Sequence, residues 1–221
     1  MGKLTREAVV EQALEIGSAE GLQAVTIRRL AQELGVTPMA LYWHFKNKEQ
    51  LLVGMADHLI EGFVIADDHA RPWQEQLREL VTGLVRVLRH YPCAAAVLEE
   101  VDQMTVPNFL RVWDTALGLA KQAGFSYEEN CLISNYLLRG AIALAAAGPM
   151  NRRPSATSEE GAACLRVKRA TLQSLPPDVY PHIVEMAGPL VDGGTTELYD
   201  TFGIDILMTG IETMAARLRV D

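Results

Sequence analysis

The side chains whose types and spacing could do chemistry crowd into residues 26–48. Between Thr37 and His44 the chain offers Thr37, Pro38, Met39, Tyr42, Trp43 and His44 around Ala40 and Leu41. Packing a short helix there needs only Ala40, Leu41 and Phe45, so the rest form a contact face. Thr37 suits an N-cap, and Pro38 takes the first helical position, where a missing N–H does no harm. A helix this short fits a DNA major groove with its N-terminal end toward the base edges. Arg28 and Arg29 open the preceding segment, where a guanidinium can fork onto guanine O6 and N7. Lys46 and Lys48 flank the exit, and Lys48 with the amides capped by Asn47 is placed to hold phosphate. Spacing alone leaves a purely structural bundle open, because helix–Gly–helix turns also serve packing.

Other chemistries find no support in the pattern. The five histidines form no HxxxH or HExxH pair, and Cys93, Cys131 and Cys164 lie far apart. No metal site, disulfide framework or cofactor is therefore expected. No Ser/His/Asp or Cys/His arrangement stands out, which argues against an enzyme. The apolar run Ala141–Ala147 is far short of the ~20 residues of a membrane span. Glu7, Glu11 and Glu15 interrupt any signal-peptide core, so a cytoplasmic location is expected.

Charge is distributed unevenly. The 221 residues carry 20 Lys+Arg against 28 Asp+Glu, a net of −8. Residues 1–50 are neutral overall, so the acidity lies beyond them. Only Glu33 opposes Arg28, Arg29, Lys46 and Lys48 within residues 22–48. Such a body repels phosphate and leaves one end to meet it.

The elements that must position these groups read as helices throughout, and the expected fold class is all-α. Thr5 caps a first helix that Gly21 ends. Thr26 caps a second, with Ile27, Leu30, Ala31 and Leu34 on its apolar face, and Gly35 reverses the chain. The third runs from Pro38 to about His44. Asn47 and Gln50 form a capping box for a fourth, about Lys48–Ala66. Trp73, Leu77, Leu80, Leu84 and Leu88 mark the next stripe, and Phe109, Val112, Trp113, Ala116 and Ala120 another. Ser126 and Glu129 open a long apolar helix, about Tyr127–Gly148. A weak helix follows over Gly161–Leu175. Pro176-Pro177 and Gly193-Gly194 then punctuate the chain before a last helix, about Thr195–Arg219. The division expected is a helix-turn-helix domain over 1–48 and an effector-binding and dimerisation domain over 49–221.

The segment VTIRRLAQELGVTPMALYWHFKNKEQLL, with its Leu-Gly-Val-x-x-x-x-Leu-Tyr-x-His-Phe-x-Asn-Lys run, resembles the DNA-binding domain of the TetR family of transcriptional repressors. Leu41-Tyr42-Trp43-His44 is similar to the tetracycline-repressor type, as more weakly are Trp73-Gln74, Gly124-Phe125-Ser126 and Phe202-Gly203-Ile204-Asp205. The resemblance implies a ligand-responsive repressor. It assigns Arg28, Thr37, Pro38, Met39, Trp43 and His44 to base or base-proximal contacts, and Thr26, Tyr42 and Lys48 to phosphates. It further implies a homodimer on a palindromic double-stranded operator. The two long helices would form the interface, with Ala141, Ala143, Gly203 and Gly210 allowing close approach.

One departure bears on the effector. The positions that match the drug–magnesium ligands of the tetracycline-repressor type carry Val64, Leu80, Leu84, Leu98, Val101, Ala116 and Ala147, none able to coordinate a metal. An apolar or aromatic effector is implied, held by Phe63, Leu84, Leu98, Phe109, Trp113 and Tyr136. Asn135 or Arg139 would supply orienting polar contacts, unless Arg139 instead pairs with a carboxylate at the dimer interface. An all-α small-molecule enzyme or a helical adaptor with a vestigial head are the competing classes.

Overall fold

The computed structural model describes residues 4–61, 70–147 and 159–218. Among them the chain forms α1 (Arg6–Glu20), a 3-10 turn (Leu22–Ala24), α2 (Ile27–Glu33), α3 (Pro38–Tyr42), α4 (Lys48–Glu61), α5 (Trp73–His90) and α6 (Ala94–Glu100). A second 3-10 turn (Gln103–Thr105) leads to α7 (Pro107–Gln122), α8 (Tyr127–Ala147), α9 (Glu159–Gln173), α10 (Pro181–Glu185), α11 (Ala187–Asp192) and α12 (Thr196–Arg217). No strand occurs among the described residues. The fold is all-α.

Local chemistry sets the boundaries of the head. Thr5, Thr26 and Thr37 each accept a backbone N–H three residues on, from Ala8, Arg29 and Ala40. Each cap satisfies a donor that the helix cannot, for about 1 kcal/mol. Gly35 joins α2 to α3 at φ 64°, a left-handed conformation that costs glycine nothing. Asn47 accepts from the Gln50 amide at 2.8 Å, and the Gln50 side chain reaches back to the Lys46 N–H at 3.0 Å. The reciprocal half of this cap therefore falls one residue earlier than a capping box places it. Helix α3 is shorter than expected, because Trp43 already serves as its C-cap.

Helix α4 is the hub on which the head sits, packing against α1, α5, α6 and α7. Gly54 permits this: a Cβ there would lie 2.9 Å from Phe45 Cε1, so the α4 backbone receives the buried ring directly. The Arg6 guanidinium covers that ring from 4.8 Å, a cation–π contact between α1 and the end of the helix-turn-helix. Cys93, at the N-cap of α6, is buried against Gly17 and Ser18 of α1, and burial pushes its thiol pKa up.

By packing, the chain divides into two compact units, Met1–Ala146 with Ile204–Asp221, and Ala147–Gly203. In the first, one apolar core runs from Val9 through Phe45, Met55, Leu77 and Leu98 to Met208, so residue 48 marks no gap between cores. Within this unit Leu207 lies against Gly140, whose Cβ would stand 2.7 Å from Leu207 Cδ1. Helices α8 and α12 thus approach closely within the chain at Gly140, while a Cβ at Gly210 would meet no atom of this chain within 4 Å. In the second unit α9 packs on α10 and α11, and Arg169 pairs with Asp192. Helices α10 and α11 have five and six residues, too few to show a helical period in the sequence.

Candidate functional site

Two surfaces carry the candidate residues. On α3 only Leu41 is fully buried, anchoring the helix. Thr37, Pro38, Met39, Tyr42 and Trp43 are all exposed, Met39 at 68% and Trp43 at 85%. Three large apolar or aromatic side chains displayed on so short a helix would be costly unless something covers them. His44 and Lys48 are half-buried at the exit. The Thr26 and Thr37 oxygens accept backbone N–H groups and keep their O–H donors, the form a phosphate oxygen requires.

The two arginines of α2 part company. Arg29 is held by Glu20 at 2.8 Å and by Glu33 one turn on. The hydrogen bond it donates to Glu20, then that to Glu33, raises its pKa further. Its guanidinium is thereby occupied. Arg28 is exposed and makes no ion pair among the described residues, so it alone of the pair is free to fork onto a base.

The second surface is a cavity of about 70 Å³ in the first unit. Leu80, Val81 and Leu84 of α5, Gln103 of the 3-10 turn, and Phe109, Val112, Trp113 and Ala116 of α7 line it, with Ser134, Asn135, Leu137 and Leu138 of α8. The i, i+3, i+4, i+7 spacing on α7 puts its four residues on one stripe. The Phe109 and Trp113 rings meet at 5.9 Å, and the Trp113 indole N–H donates to Ser134 Oγ at 3.0 Å.

Of the residues expected to hold an effector, Leu84, Phe109, Trp113 and Asn135 come together on this wall. Three others do not line this wall. Leu98 is fully buried in the core, on a helix that packs against α4 and α5. Tyr136 is 68% exposed, because two residues from both Ser134 and Leu138 is the opposite side of a helix. Arg139 is exposed and donates from Nε to Asn135 Oδ1 at 2.9 Å, an amide partner rather than a carboxylate. Phe63 and Val64 lie outside the described residues. Sequence reasoning missed Gln103 and Ser134. The stripe 134, 137, 138 on α8 could have shown Ser134, whereas Gln103 sits in a turn without periodicity.

Hydrogen bonds between α4 and α7 are part of the link between the two surfaces. The first turn of α7 has no side-chain cap of its own, since its N-cap is Val106. Asp57 of α4 supplies one, accepting the Asn108 N–H at 2.8 Å, while Asn108 Nδ2 donates to the Asp57 carbonyl at 3.3 Å. A carboxylate there also complements the helix dipole. The next residue, Phe109, lines the cavity, so α4 holds the head at one end and the cavity wall at the other.

A short helix that displays aromatics beside a free arginine, joined through one lever to a body with an apolar cavity, defines a DNA-binding regulator with a ligand-accepting body. Comparison with known proteins gives the same class. The pattern of bacterial regulatory proteins of the tetR family matches residues 9–55, and that of the tetracyclin repressor-like C-terminal domain matches residues 66–215. The chain belongs to the TetR family of ligand-responsive transcriptional repressors. It is 28% identical to the class D tetracycline repressor of Escherichia coli, over 99% of this chain and 94% of that one. With the class C repressor of the same organism identity is 39%, over 57% of this chain and 58% of the relative. The crystal structure of the TetR family protein ActR of Streptomyces coelicolor in complex with actinorhodin superposes with a TM-score of 0.79. It is 26% identical and covers 97% of this chain and 99% of that one. No described helix is long and apolar enough to cross a membrane.

Proposed function

We propose that the protein binds a palindromic DNA operator as a homodimer in the cytoplasm and responds to a mostly apolar small molecule that enters the cavity. Residues 1–48 are the DNA-binding part, and residues 49–221 bind the effector and dimerise. The observation that carries the reading is the outward face of α3 next to the unpaired Arg28. Arg28, Thr37, Pro38, Met39, Trp43 and His44 read or approach bases; Thr26, Tyr42 and Lys48 hold phosphates. Exposed Leu132 and Tyr136 on α8, with Ile206 and Met214 on α12, support a partner subunit on that side of the first unit. Two-fold symmetry then sets half-sites about 34–36 Å apart. The ActR complex supports the use of the body for a small molecule. The cavity wall offers no titratable side chain, which supports a regulator rather than an enzyme.

To empty an occupied operator the effector must favour one state by roughly 10⁴-fold. The test is selection of bound duplexes from a random pool, followed by salt titration. A two-fold symmetric consensus with affinity falling steeply with salt is expected. A monomer, or no enrichment of any sequence, would defeat the proposal.

A further inference from the structure

The cavity wall contains two side-chain amides and one hydroxyl, and the structure fixes what each can still offer. Arg139 Nε–H can only donate, so the Asn135 atom it meets at 2.9 Å must be the carbonyl oxygen. The Asn135 amide nitrogen, a donor, is the end left uncommitted. The Leu98 carbonyl can only accept, so the Gln103 atom 3.1 Å away must be Nε2, which leaves Oε1 as an acceptor. Ser134 is used on both sides: it takes the Trp113 N–H at 3.0 Å and gives its proton to the Cys131 carbonyl at 3.0 Å. Every other lining residue is hydrocarbon apart from the Trp113 indole, and no charged side chain is among them.

We infer that the effector is an uncharged molecule that presents a hydrogen-bond acceptor to Asn135, and that Arg139 is the positioning residue which sets this preference from outside the cavity. A net charge entering this wall would lose part of its hydration with no charged lining residue to meet it. Asn135 is exposed in the free chain, so a plain hydrocarbon laid over it would strip water from its N–H, whereas a ketone or similar oxygen replaces that water. Gln103 Oε1 adds room for one donor on the same molecule, without requiring it. Arg139 touches no ligand; as an i+4 neighbour it holds the Asn135 amide in the orientation that keeps the nitrogen free.

This inference rests on the cavity being the effector site, and four size-matched probes separate the two. Dissociation constants for indane, 1-indanone, indane-1-carboxylate and the 1-aminoindane cation are measured by ligand-observed NMR titration on the full chain. The ketone should bind about 10-fold more tightly than indane, the worth of one satisfied neutral hydrogen bond, and both ions more weakly than indane. In Arg139→Leu the ketone preference should collapse to within about twofold while indane affinity holds; in Asn135→Leu, which changes the wall itself, the ketone-to-indane ratio should collapse likewise. A merely structural role for Arg139 would weaken both probes alike. Melting and sedimentation of each variant check fold and assembly, and the wild-type ranking stands whether or not a variant folds. Equal binding of ketone and hydrocarbon, or a preference for either ion, overturns the inference and leaves the site in place. Binding of none of the four overturns the site and the inference with it.

Discussion

Helices α3 and α7 use their large side chains in opposite directions. Helix α3 keeps Leu41 for the core and turns Met39, Tyr42 and Trp43 outward, whereas α7 turns Phe109, Val112, Trp113 and Ala116 toward a cavity that is continuous with the core. The outward surface is therefore separable from stability: its residues can change with little effect on folding. The inward surface is not separable, because whatever enters it repacks helices that also hold α4. A regulator needs this asymmetry, since its ligand must move the frame while its DNA contacts ride on it rigidly.

The largest effect should come from removing the one inward residue of α3. Leu41→Ala is expected to cost about 2–5 kcal/mol of stability, read from the urea midpoint. Trp43→Ala should stay within ~0.5 kcal/mol of wild type in the same measurement yet lose DNA affinity. Comparable stability losses for both would break the contrast.

The two α2 arginines sharpen it. Arg28→Ala should weaken operator binding by ~1–3 kcal/mol and relax one base position. Arg29→Ala should leave the sequence preference intact and change the urea midpoint little, because its ion pairs are exposed and screened. A changed consensus for the Arg29 variant would show that the Glu20–Arg29–Glu33 cluster opens on DNA.

Asp57→Ala tests the link between the surfaces. Operator affinity without ligand should hold, while the ratio of affinities with and without a saturating cavity ligand should shrink about fivefold or more. An unchanged ratio would mean that α7 and α4 communicate elsewhere. Tyr42→Ala should weaken all duplexes alike by ~0.5–1.5 kcal/mol in a competition assay. Selective loss for one sequence would move Tyr42 from phosphate to base.

The head was legible because its determinants are local. Thr26, Gly35, Thr37 and Pro38 each fix a backbone position through their own chemistry, and three-residue caps do not depend on distant packing. The cavity was half legible. Leu84, Leu98, Phe109, Trp113 and Tyr136 came from the family resemblance, and of these Leu84, Phe109 and Trp113 line this cavity. Which side of α6 or α8 faces α7 depends on rotations set by all the neighbours together. Gln103 escaped notice because a 3-10 turn repeats nothing. Helices α10 and α11 are shorter than two turns and leave no periodic trace.

From the sequence alone came the helical class, the capped helix-turn-helix, the cluster of cations at one end of an acidic chain, and the family. These follow from interactions spanning a few residues, or from composition, and so survive without coordinates. Only the tertiary structure decided which arginine is free, which amide end remains to be answered in the cavity, and that Asp57 caps a helix fifty residues away. The first and the last depend on contacts between separate helices, Arg29 with Glu20 and Asp57 with Asn108, and the amide end on the rotamers of two residues one turn apart on α8.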